Sequence, residues 1–572
     1  MGLESYHYTC KKRKVSLKNI FGGLQHMISK TIGQILDTTA KRFPDNDALV
    51  YIDRNLRLTY KEFKKEVETL AKSLLALGIN KGDHIAIWAY NIPEWVLLQF
   101  ASAKIGAILV TVNTYYKSHE LNYLLKQSDA TTLFLVEGFK DVNYLEKINT
   151  VIPNLKQSKP GTLTSEKLPF LKNIILISED EYPGMFQFKD LYKLAKTISD
   201  DELKEREEQL DVHDVINMQY TSGTTGFPKG VMLSHYNIVN NAYYVGETMG
   251  LTEKDRLCIP VPFFHCFGCV LSTLNCVVHG AAMIPIEIFD AEKVLQAVSE
   301  EQCTAIQGVP TMFIAELRHP HFLEYDCSSL RTGIMAGASC PVEVMVEAME
   351  KMNLREITIC YGLTETSPVL TQTHRTDPLL KRVETVGKPL PGVEVKIIDP
   401  ETGKEQPMNK AGELIARGFG VMKGYYKMPD KTTEVIRDGW LHTKDLAVKD
   451  ESGYFSIHGR IDDMIIRGGE NVYPREIEEF LYTHKKIKDV AVVGVPSEKY
   501  GEEVCAFISL MEGTNITKDK IRRYCEDGIS RFKIPKYIFF TDEFPMTASG
   551  KIRKIELKDI AKQQLGINKR NN

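Results

Sequence analysis

The sequence has almost no net charge and no long uninterrupted hydrophobic run. Its 72 lysines and arginines are balanced by 75 aspartates and glutamates, so the chain lacks the positive field with which nucleic-acid-binding proteins attract phosphates. The longest apolar stretch, residues 96–112, is interrupted by Gln99, Lys104 and Gly106, whereas a membrane-spanning helix needs about 20 residues with almost no charge. We therefore expect no nucleic-acid partner and no transmembrane segment.

The cysteines lack the pattern of a disulfide framework. There are 11 of them, an odd number scattered through apolar surroundings, unlike the cysteines of a small secreted domain. Cys266 and Cys269 form a C-x-x-C pair, but no second such pair follows at the spacing of a metal finger. This pattern favours a reducing cytoplasm, and we expect no metal at the pair.

Residues 1–35 are predicted to form a basic N-terminal arm. The first 36 residues contain six basic side chains and one acidic side chain, Glu4. The segment lacks the long apolar core of a secretory signal and the Arg and Ser enrichment of a transit peptide. A solvated arm on a cytoplasmic protein is the favoured interpretation, and an organelle presequence is the alternative.

The hydrophobic patterns predict an α/β protein with more than one domain. At roughly 100 to 200 residues per domain, a chain of 572 residues indicates two to four packing units. Helical spacing over residues 63–77 is followed by a strand-like run over 85–89, and this alternation recurs along the chain. We predict a large domain of layered α/β subdomains over residues 36–460. It includes a small β-barrel-like subdomain at about 393–459, and a small α+β domain over 461–572 follows it.

The segment from Tyr220 to Gly230 is the most informative part of the sequence. Its glycines allow backbone N–H groups to approach an anion, and its serine and threonine hydroxyls add hydrogen-bond donors. Lys229 adds a positive charge. The spacing matches neither a Walker A loop nor a dinucleotide fingerprint. A polyphosphate is the ligand that the segment favours, and a flexible turn is the alternative.

This segment is one of five motifs through which the sequence resembles the adenylate-forming superfamily and, within it, the acyl-CoA synthetases. The resemblance covers roughly residues 58–557, in the order of the family. The motifs are Thr221-Ser-Gly-Thr-Thr-Gly-Phe-Pro-Lys229, Tyr361-Gly-Leu-Thr-Glu365, Trp440-Leu-His-Thr-Lys-Asp445, Gly459-Arg-Ile-Asp-Asp463 with Gly468-Gly-Glu-Asn-Val-Tyr-Pro474, and Pro545 through Gly550-Lys551. The resemblance implies that a carboxylic acid displaces pyrophosphate from ATP, and that CoA then attacks the acyl adenylate.

The resemblance also implies a nucleotide site. Within it, Tyr361 stacks on adenine, Asp445 accepts hydrogen bonds from the ribose hydroxyls, and Glu365 binds Mg²⁺. The implied nucleotide-binding set is Thr221, Ser222, Gly223, Thr224, Thr225, Gly226, Lys229, Gly337, Ala338, Tyr361, Gly362, Thr364, Asp445, Arg460 and Lys551.

Charge on the phosphates must be countered during adenylation, and positioned cations are the usual means. By resemblance, Lys551 bridges the substrate carboxylate and the α-phosphate. The expected catalytic set is Lys551, Lys229, Glu365, Arg460 and His265.

The small C-terminal domain is expected to be mobile and to serve two steps. By resemblance, Asp462 is the hinge, and the CoA pantetheine tunnel is lined by Arg467, Gly468, Gly469 and Glu470. Lys551 and this loop lie on the same small domain but serve different steps, so two poses are expected.

An apolar acyl pocket is expected beside His265, which by resemblance lies at the carboxylate entrance. The pocket candidates are Phe264, Phe267, Val309, Met312, Ile334, Leu363 and Val369. These residues favour a medium-chain fatty acid. The alternatives are an aromatic or branched acid, a ligase that loads a carrier protein, and a catalytically silent nucleotide- or lipid-binding relative. A peripheral membrane contact and a homodimer stay open.

One motif departs from the family pattern, because Lys444 stands where the family usually has glycine. If the backbone there has a positive φ, a non-glycine residue costs on the order of 1 kcal/mol or more. The departure puts the local ribose geometry in doubt.

Overall fold

The computed structural model describes residues 27–221, 228–338, 340–468, 470–547 and 551–567. The first part alternates strands and helices. Its elements are α1 (Ile32–Arg42), β1 (Asp47–Tyr51), β2 (Leu56–Thr59), α2 (Tyr60–Ala76), β3 (His84–Trp88), α3 (Pro93–Ile105), β4 (Ile108–Thr111), α4 (Ser118–Gln127), β5 (Thr132–Leu135), β6 (Gly138–Phe139), β7 (Val142–Asn143), α5 (Tyr144–Val151), β8 (Asn173–Leu176), β9 (Phe186–Gln187), α6 (Phe188–Leu194) and α7 (Asp200–Glu208).

The alternation continues through the middle of the chain. The next elements are β10 (Val215–Thr221), β11 (Lys229–Ser234), α8 (His235–Met249), β12 (Arg256–Ile259), α9 (Cys266–Gly268), α10 (Asn275–His279), β13 (Ala282–Pro285), α11 (Ala291–Glu300), β14 (Ala305–Gly308), α12 (Pro310–Leu317), β15 (Thr332–Met335), α13 (Val342–Lys351), β16 (Glu356–Gly362), β17 (Val369–Gln372) and α14 (Leu379–Glu384).

Strands dominate the following segment, and a small α+β unit ends the described chain. The strand-rich segment contains β18 (Lys388–Pro389), β19 (Val393–Ile398), β20 (Gly412–Gly418), β21 (Gly424–Tyr425), α15 (Pro429–Val435), β22 (Ile436–Arg437), β23 (Trp440–Lys449) and β24 (Phe455–Arg460). The last unit contains β25 (Ile465–Arg467), β26 (Glu470–Val472), α16 (Pro474–Tyr482), β27 (Ile487–Ser497), β28 (Gly501–Leu510), α17 (Lys518–Gly528), β29 (Tyr537–Phe540) and α18 (Lys554–Gln564).

Two large sheets form the bulk of the molecule. The nine-stranded sheet has the order β18-β17-β16-β15-β14-β12-β13-β1-β2, and the eight-stranded sheet has the order β21-β11-β10-β4-β3-β5-β8-β9. Their central strands are parallel, and helices join them, as expected for a buried α/β sheet. The α/β fold class predicted from the sequence is confirmed.

Two smaller sheets follow. In the segment predicted to be β-rich, β19, β20, β23 and β22 are antiparallel neighbours, and β24 pairs with β23. In the last unit, β26, β25, β28 and β27 form a sheet to which β29 adds a parallel strand. The hydrophobic core of this last unit is separate from the main core, which in the described chain extends to Phe455.

Local signals explain where several elements begin and end. Helix α2, predicted over 63–77, begins at a capping box formed by Thr59 and Glu62. Helix α1 begins at Ile32 because Thr31 and Gln34 form another capping box, so the predicted arm 1–35 ends inside this helix.

Candidate active site

Three neighbouring parallel strands end at one edge of the nine-stranded sheet and place motif residues there. Val309 follows β14, Gly337 follows β15, and Tyr361 and Gly362 end β16. Ligands of open α/β sheets bind beyond this carboxyl edge. A Cβ atom on Gly362 would lie 1.8 Å from the carbonyl oxygen of Pro368, so only glycine fits this position.

Asp445 connects three motifs. The Tyr361 hydroxyl donates a hydrogen bond to its Oδ2 at 2.6 Å, and Arg460 Nε donates to its Oδ1 at 2.8 Å. Arg460 lies directly opposite Asp445 on the β23–β24 ladder. Burial, together with the negative charge of Asp445, raises the pKa of Tyr361, so the phenol stays a donor. Each Asp445 oxygen keeps a further lone pair, which matches the acceptor role expected toward a ribose.

Lys229 and Glu365, which belong to two different motifs, both contact Tyr425. Glu365 belongs to the helical turn Thr364–Thr366 that follows β16. The Tyr425 hydroxyl donates to Glu365 Oε1 at 2.7 Å, and the Lys229 ammonium lies 4.4 Å from the centroid of the Tyr425 ring. Burial lowers the pKa of Lys229, and the nearby charge of Glu365 opposes this shift.

Part of the glycine-rich motif lies outside the described residues. Thr221 ends β10 and pairs with Lys229 at the start of β11. The motif residues between them that fall outside the described chain are Ser222, Gly223, Thr224, Thr225, Gly226 and Phe227. Their predicted contact with a polyphosphate stays a prediction.

Lys551 reaches this site from the C-terminal unit. A Cβ atom built on Gly337, where φ is +87°, would lie 3.8 Å from Lys551 Cε and 3.1 Å from Val309 Cγ1. Thr547 holds the backbone of Lys551, since the Lys551 N–H donates to Thr547 Oγ1 at 2.9 Å. Burial and repulsion from Arg460 lower the pKa of Lys551. The lysine therefore lies among the residues expected to bind the nucleotide, as the adenylation role requires.

His265 lies close enough to Lys551 for the lysine charge to affect the pKa of the imidazole. The imidazole accepts a hydrogen bond from the Phe267 N–H at 3.3 Å and so caps the short helix α9. Burial, together with the Lys551 charge, lowers the pKa of His265 to about 3. The imidazole is therefore neutral at physiological pH, and it can line an entrance without adding charge.

The loop expected to contact CoA forms the β25–β26 hairpin. Arg467 Nε donates to Glu503 Oε2 at 2.6 Å, and the guanidinium lies 4.5 Å from the Tyr500 ring centroid. The Gly468 N–H donates to the Tyr500 carbonyl at 2.8 Å. Glu470 pairs with Arg467 in the hairpin, and Gly469 lies outside the described residues.

The predicted hinge and pocket residues have varied environments. Asp462 is exposed in the helical turn Ile461–Asp463, directly after β24. Among the pocket candidates, Phe267, Val309 and Ile334 are buried in the main core, whereas Phe264 and Leu363 are partly exposed. Ala338 is exposed beside Gly337. The hinge and pocket roles stay predictions.

Lys444 has a backbone conformation that is unusual for a lysine. Its φ is +60°, the left-handed region in which glycine is favoured. Its N–H donates to Glu413 Oε1 at 3.1 Å, and its side chain is exposed. The ammonium is one of the charges that lower the pKa of Lys229, after burial and Lys431.

Sequence reasoning missed Tyr425. This residue contacts both Lys229 and Glu365, but the pairing of β21 with β11 that brings it there joins distant parts of the chain. The Gly-Tyr-Tyr sequence around it carries no signal of that pairing.

Comparison with known proteins identifies the family. The profile described as AMP-binding enzyme matches residues 36–426, and the AMP-binding enzyme C-terminal domain matches residues 476–551. The chain belongs to the AMP-binding enzyme family. The resemblance to adenylate-forming enzymes that the motifs indicate is therefore confirmed.

Relatives of this AMP-binding enzyme include named CoA ligases. It is 56% identical over 537 residues to the putative acyl-CoA synthetase YngI of Bacillus subtilis, with 94% of this chain and 98% of the relative covered. It is 42% identical over 543 residues to the mitochondrial medium-chain acyl-CoA ligase ACSF2 of Danio rerio, with 94% and 89% covered.

A solved structure extends this comparison to the fold. The anthranilate CoA ligase AuaEII in complex with anthranoyl-AMP superposes with a TM-score of 0.83 at 26% identity, covering 94% of this chain and 98% of that one. The motif-based recognition of an acyl-CoA synthetase agrees with these relatives.

Two further features of this AMP-binding enzyme concern membranes and metals. In the described ranges, no helix is both long and apolar enough to cross a membrane. In the same ranges, no group of three or more His, Cys, Asp or Glu side chains could hold a metal ion.

Proposed function

We propose that the chain is an ATP-dependent acyl-CoA synthetase that adenylates a medium-chain fatty acid, releases pyrophosphate and transfers the acyl group to CoA. The observation that carries the proposal is the convergence of Lys551 with Gly337, Arg460 and Asp445, which lie on separate elements. The medium-chain assignment is supported by the Danio rerio relative, which is named a medium-chain acyl-CoA ligase, and by the apolar character of the pocket candidates.

In the first step, the chain binds ATP through residues with distinct tasks. Tyr361 and Asp445 hold the adenosine, with the tyrosine hydroxyl fixed on the carboxylate. Lys229 faces the polyphosphate. Lys551 lies between the α-phosphate and the fatty-acid carboxylate, and its charge, with that of Arg460, stabilises the negative charge that develops as pyrophosphate leaves.

Mg²⁺ fits the donor set of this site. Magnesium is usually held by one or two carboxylates together with substrate phosphates. Glu365 offers such a carboxylate, because Tyr425 occupies Oε1 and none of the described residues donates to Oε2. When bound, the ion neutralises phosphate charge and polarises the phosphoryl oxygens.

The second step needs the CoA thiol to reach the acyl adenylate. We assign the β25–β26 hairpin to this step, with Arg467, Gly468, Gly469 and Glu470 beside the pantetheine, and Asp462 as the hinge. The neutral His265 borders the entrance, and the acyl chain occupies the pocket of Phe264, Phe267, Val309, Ile334 and Leu363. Arg467 is already ordered by Glu503 and Tyr500.

A panel of acids distinguishes a fatty-acid substrate from an aromatic one. The structural similarity to the anthranilate CoA ligase favours the aromatic alternative. Pyrophosphate release from ATP is measured with straight-chain acids from acetate to palmitate and with anthranilate and benzoate, with and without CoA. Maximal turnover with octanoate-like acids is the expected result. Turnover that needs no CoA would favour a ligase that loads a carrier protein.

The role of Lys551 is tested in the same assay. We expect Lys551→Ala to reduce adenylation by about a hundredfold or more, the loss usual for a group that stabilises developing charge. Thioester formation from chemically supplied acyl adenylate should continue. Lys562→Ala is the control, because Lys562 lies on α18 and pairs with Asp559. Full adenylation by Lys551→Ala would contradict the mechanism.

Location and assembly complete the proposal. We assign the protein to the cytoplasm, with the basic arm 1–35 as a presequence candidate because the Danio rerio relative is named mitochondrial. A fluorescent fusion with and without the arm tests this point. Light scattering of the purified chain tests whether it forms the homodimer that the sequence leaves open.

A further inference from the structure

Tyr425 lies between Lys229 and Glu365, although it belongs to neither motif that carries them. Its hydroxyl donates to Glu365 Oε1 at 2.7 Å, and its ring centroid lies 4.4 Å from Lys229 Nζ. The side chain is 4% exposed. One buried side chain therefore restrains two groups of opposite charge in the proposed phosphate site.

The backbone around Tyr425 is held firmly. Strand β21 pairs antiparallel with β11, and Tyr425 lies opposite Val231. Lys229 precedes Val231 by two residues on β11, so Lys229 and Tyr425 share a face of the sheet. Diagonal neighbours on one face are within reach of long and aromatic side chains. The Tyr425 N–H also donates to Thr432 Oγ1 at 2.9 Å.

The chemistry of the phenol suits a positioning role. The phenol combines a hydrogen-bond donor, which reaches Glu365 Oε1, with an aromatic ring that faces the Lys229 ammonium. A carboxylate held at one oxygen is oriented before a cation reaches the other, and such outer partners strengthen metal binding. The ring face attracts the Lys229 ammonium through a cation–π contact.

We propose that Tyr425 is a positioning residue for adenylation, whose hydroxyl orients Glu365 for a divalent metal and whose ring holds Lys229 for the polyphosphate. The inference rests on the proposed function, in which Glu365 and Lys229 contact the metal and the phosphates. The inference adds Tyr425 to these two residues, in a role that needs no direct contact with the metal or the phosphates.

The test separates the hydroxyl from the ring. Tyr425→Phe removes only the hydroxyl, and Tyr425→Leu removes the ring as well. Binding of α,β-methylene-ATP is measured by calorimetry with Mn²⁺ and with EDTA, so that no turnover is needed. The ratio of the two affinities reports the metal contribution. Tyr426→Phe is the matched control, since the Tyr426 hydroxyl also donates to a carboxylate, Asp129 Oδ2, at 2.9 Å.

We expect Tyr425→Phe to lower the affinity ratio about tenfold, as loss of an outer partner of a metal ligand usually does. The metal-free affinity should not change, because the ring still contacts Lys229. Tyr425→Leu should in addition lower the metal-free affinity about threefold. Tyr426→Phe should stay within about twofold of the wild type in both conditions.

Glu365→Gln distinguishes failure of the inference from failure of the proposed function. If this variant abolishes the metal contribution while Tyr425→Phe leaves the ratio within about twofold of the wild type, the inference alone is overturned. If Glu365→Gln leaves the ratio intact, the proposed metal ligand is wrong and the inference falls with it. A large effect of both substitutions supports the proposal.

Discussion

Glu316 offers a stability prediction whose size follows from its surroundings. This glutamate lies on α12 and is 1% exposed, and neither of its carboxylate oxygens has a hydrogen-bond partner among the residues that the structure describes. Burial raises its pKa to about 8. The folded protein therefore keeps the carboxyl protonated at neutral pH, whereas the unfolded chain ionises it near the ordinary value of about 4.3.

The sign of the pH dependence follows from this difference. Between the unfolded and folded pKa values, the folded state binds a proton that the unfolded state releases, so the free energy of unfolding falls as pH rises. One pKa unit corresponds to about 1.4 kcal/mol. Between about pH 5.5 and about pH 7.5, Glu316 alone should therefore reduce the stability by about 3 kcal/mol.

Glu316→Met removes this penalty at a similar side-chain size. We expect the variant to exceed the wild type in stability by about 3 kcal/mol more at about pH 7.5 than at about pH 5.5. The assay is urea unfolding of both proteins at the two pH values, monitored by tryptophan fluorescence. Trp88 and Trp95 are buried in the same hydrophobic core as the apolar residues of α12. Taking the difference between proteins cancels the titration of all other groups.

Glu347 provides the control for this experiment. Its pKa is lowered mainly by the hydrogen bond from Arg318 and also by Lys351. Burial acts in the opposite direction but is outweighed. A carboxyl with a lowered pKa is ionised in both states above its ordinary value, so Glu347→Gln should cost the same stability at both pH values. Parallel pH profiles for the wild type and Glu316→Met would refute the reasoning, because they would show that the Glu316 carboxyl titrates normally in the fold.

Two further predictions concern the nucleotide site. Lys444→Gly should stabilise the protein by about 1 kcal/mol, because φ is +60° at this position. The ATP affinity of the variant, measured by calorimetry, should equal or exceed that of the wild type. A tenfold loss of affinity would show that the lysine binds the nucleotide. Asp445→Asn should weaken ATP binding about tenfold or more, since hydrogen bonds to a charged group are each worth about 1.5 to 3 kcal/mol; the control is Asp450→Asn, whose carboxylate pairs with Lys381, and unchanged binding by the Asp445 variant would contradict the assigned role.

The sequence predicts best the features that local chemistry determines. The helical spacing over 63–77 and the strand-like run over 85–89 correspond to α2 and β3, because periodicity and capping are local. The motifs identify the family, and residues that lie far apart in the chain, such as Tyr361 and Asp445, prove to be hydrogen-bonded. Their functional roles are not fixed by that contact and stay predictions.

The features that sequence reasoning missed depend on long-range packing. Tyr425 reaches Glu365 because β21 pairs with β11, and no local pattern records which strands pair. Glu316 stands among mostly apolar residues of α12, and its burial depends on which face of that helix packs inward.

The large domain and the C-terminal unit meet in a polar contact near the turn that contains Asp462. Asp445 and Arg460 pair on adjacent strands of the large domain, and the exposed turn with Asp462 comes directly after Arg460. Arg475, which donates to the Ile457 carbonyl at 2.7 Å, is a polar contact between the two parts. Because their hydrophobic cores are separate, rotation at this turn would break polar contacts and expose little apolar surface.

Such a rotation would act selectively on the site. In the proposed function, Asp445 and Arg460 bind the nucleotide; they precede the turn and would keep their places, whereas Lys551 follows the turn and would be withdrawn. The β25–β26 hairpin also follows the turn, and Glu503 and Tyr500 of the same unit hold its Arg467. The hairpin would therefore move as a preformed body. If the proposed roles hold, one small domain would remove the proposed adenylation lysine and present the proposed CoA loop in a single motion.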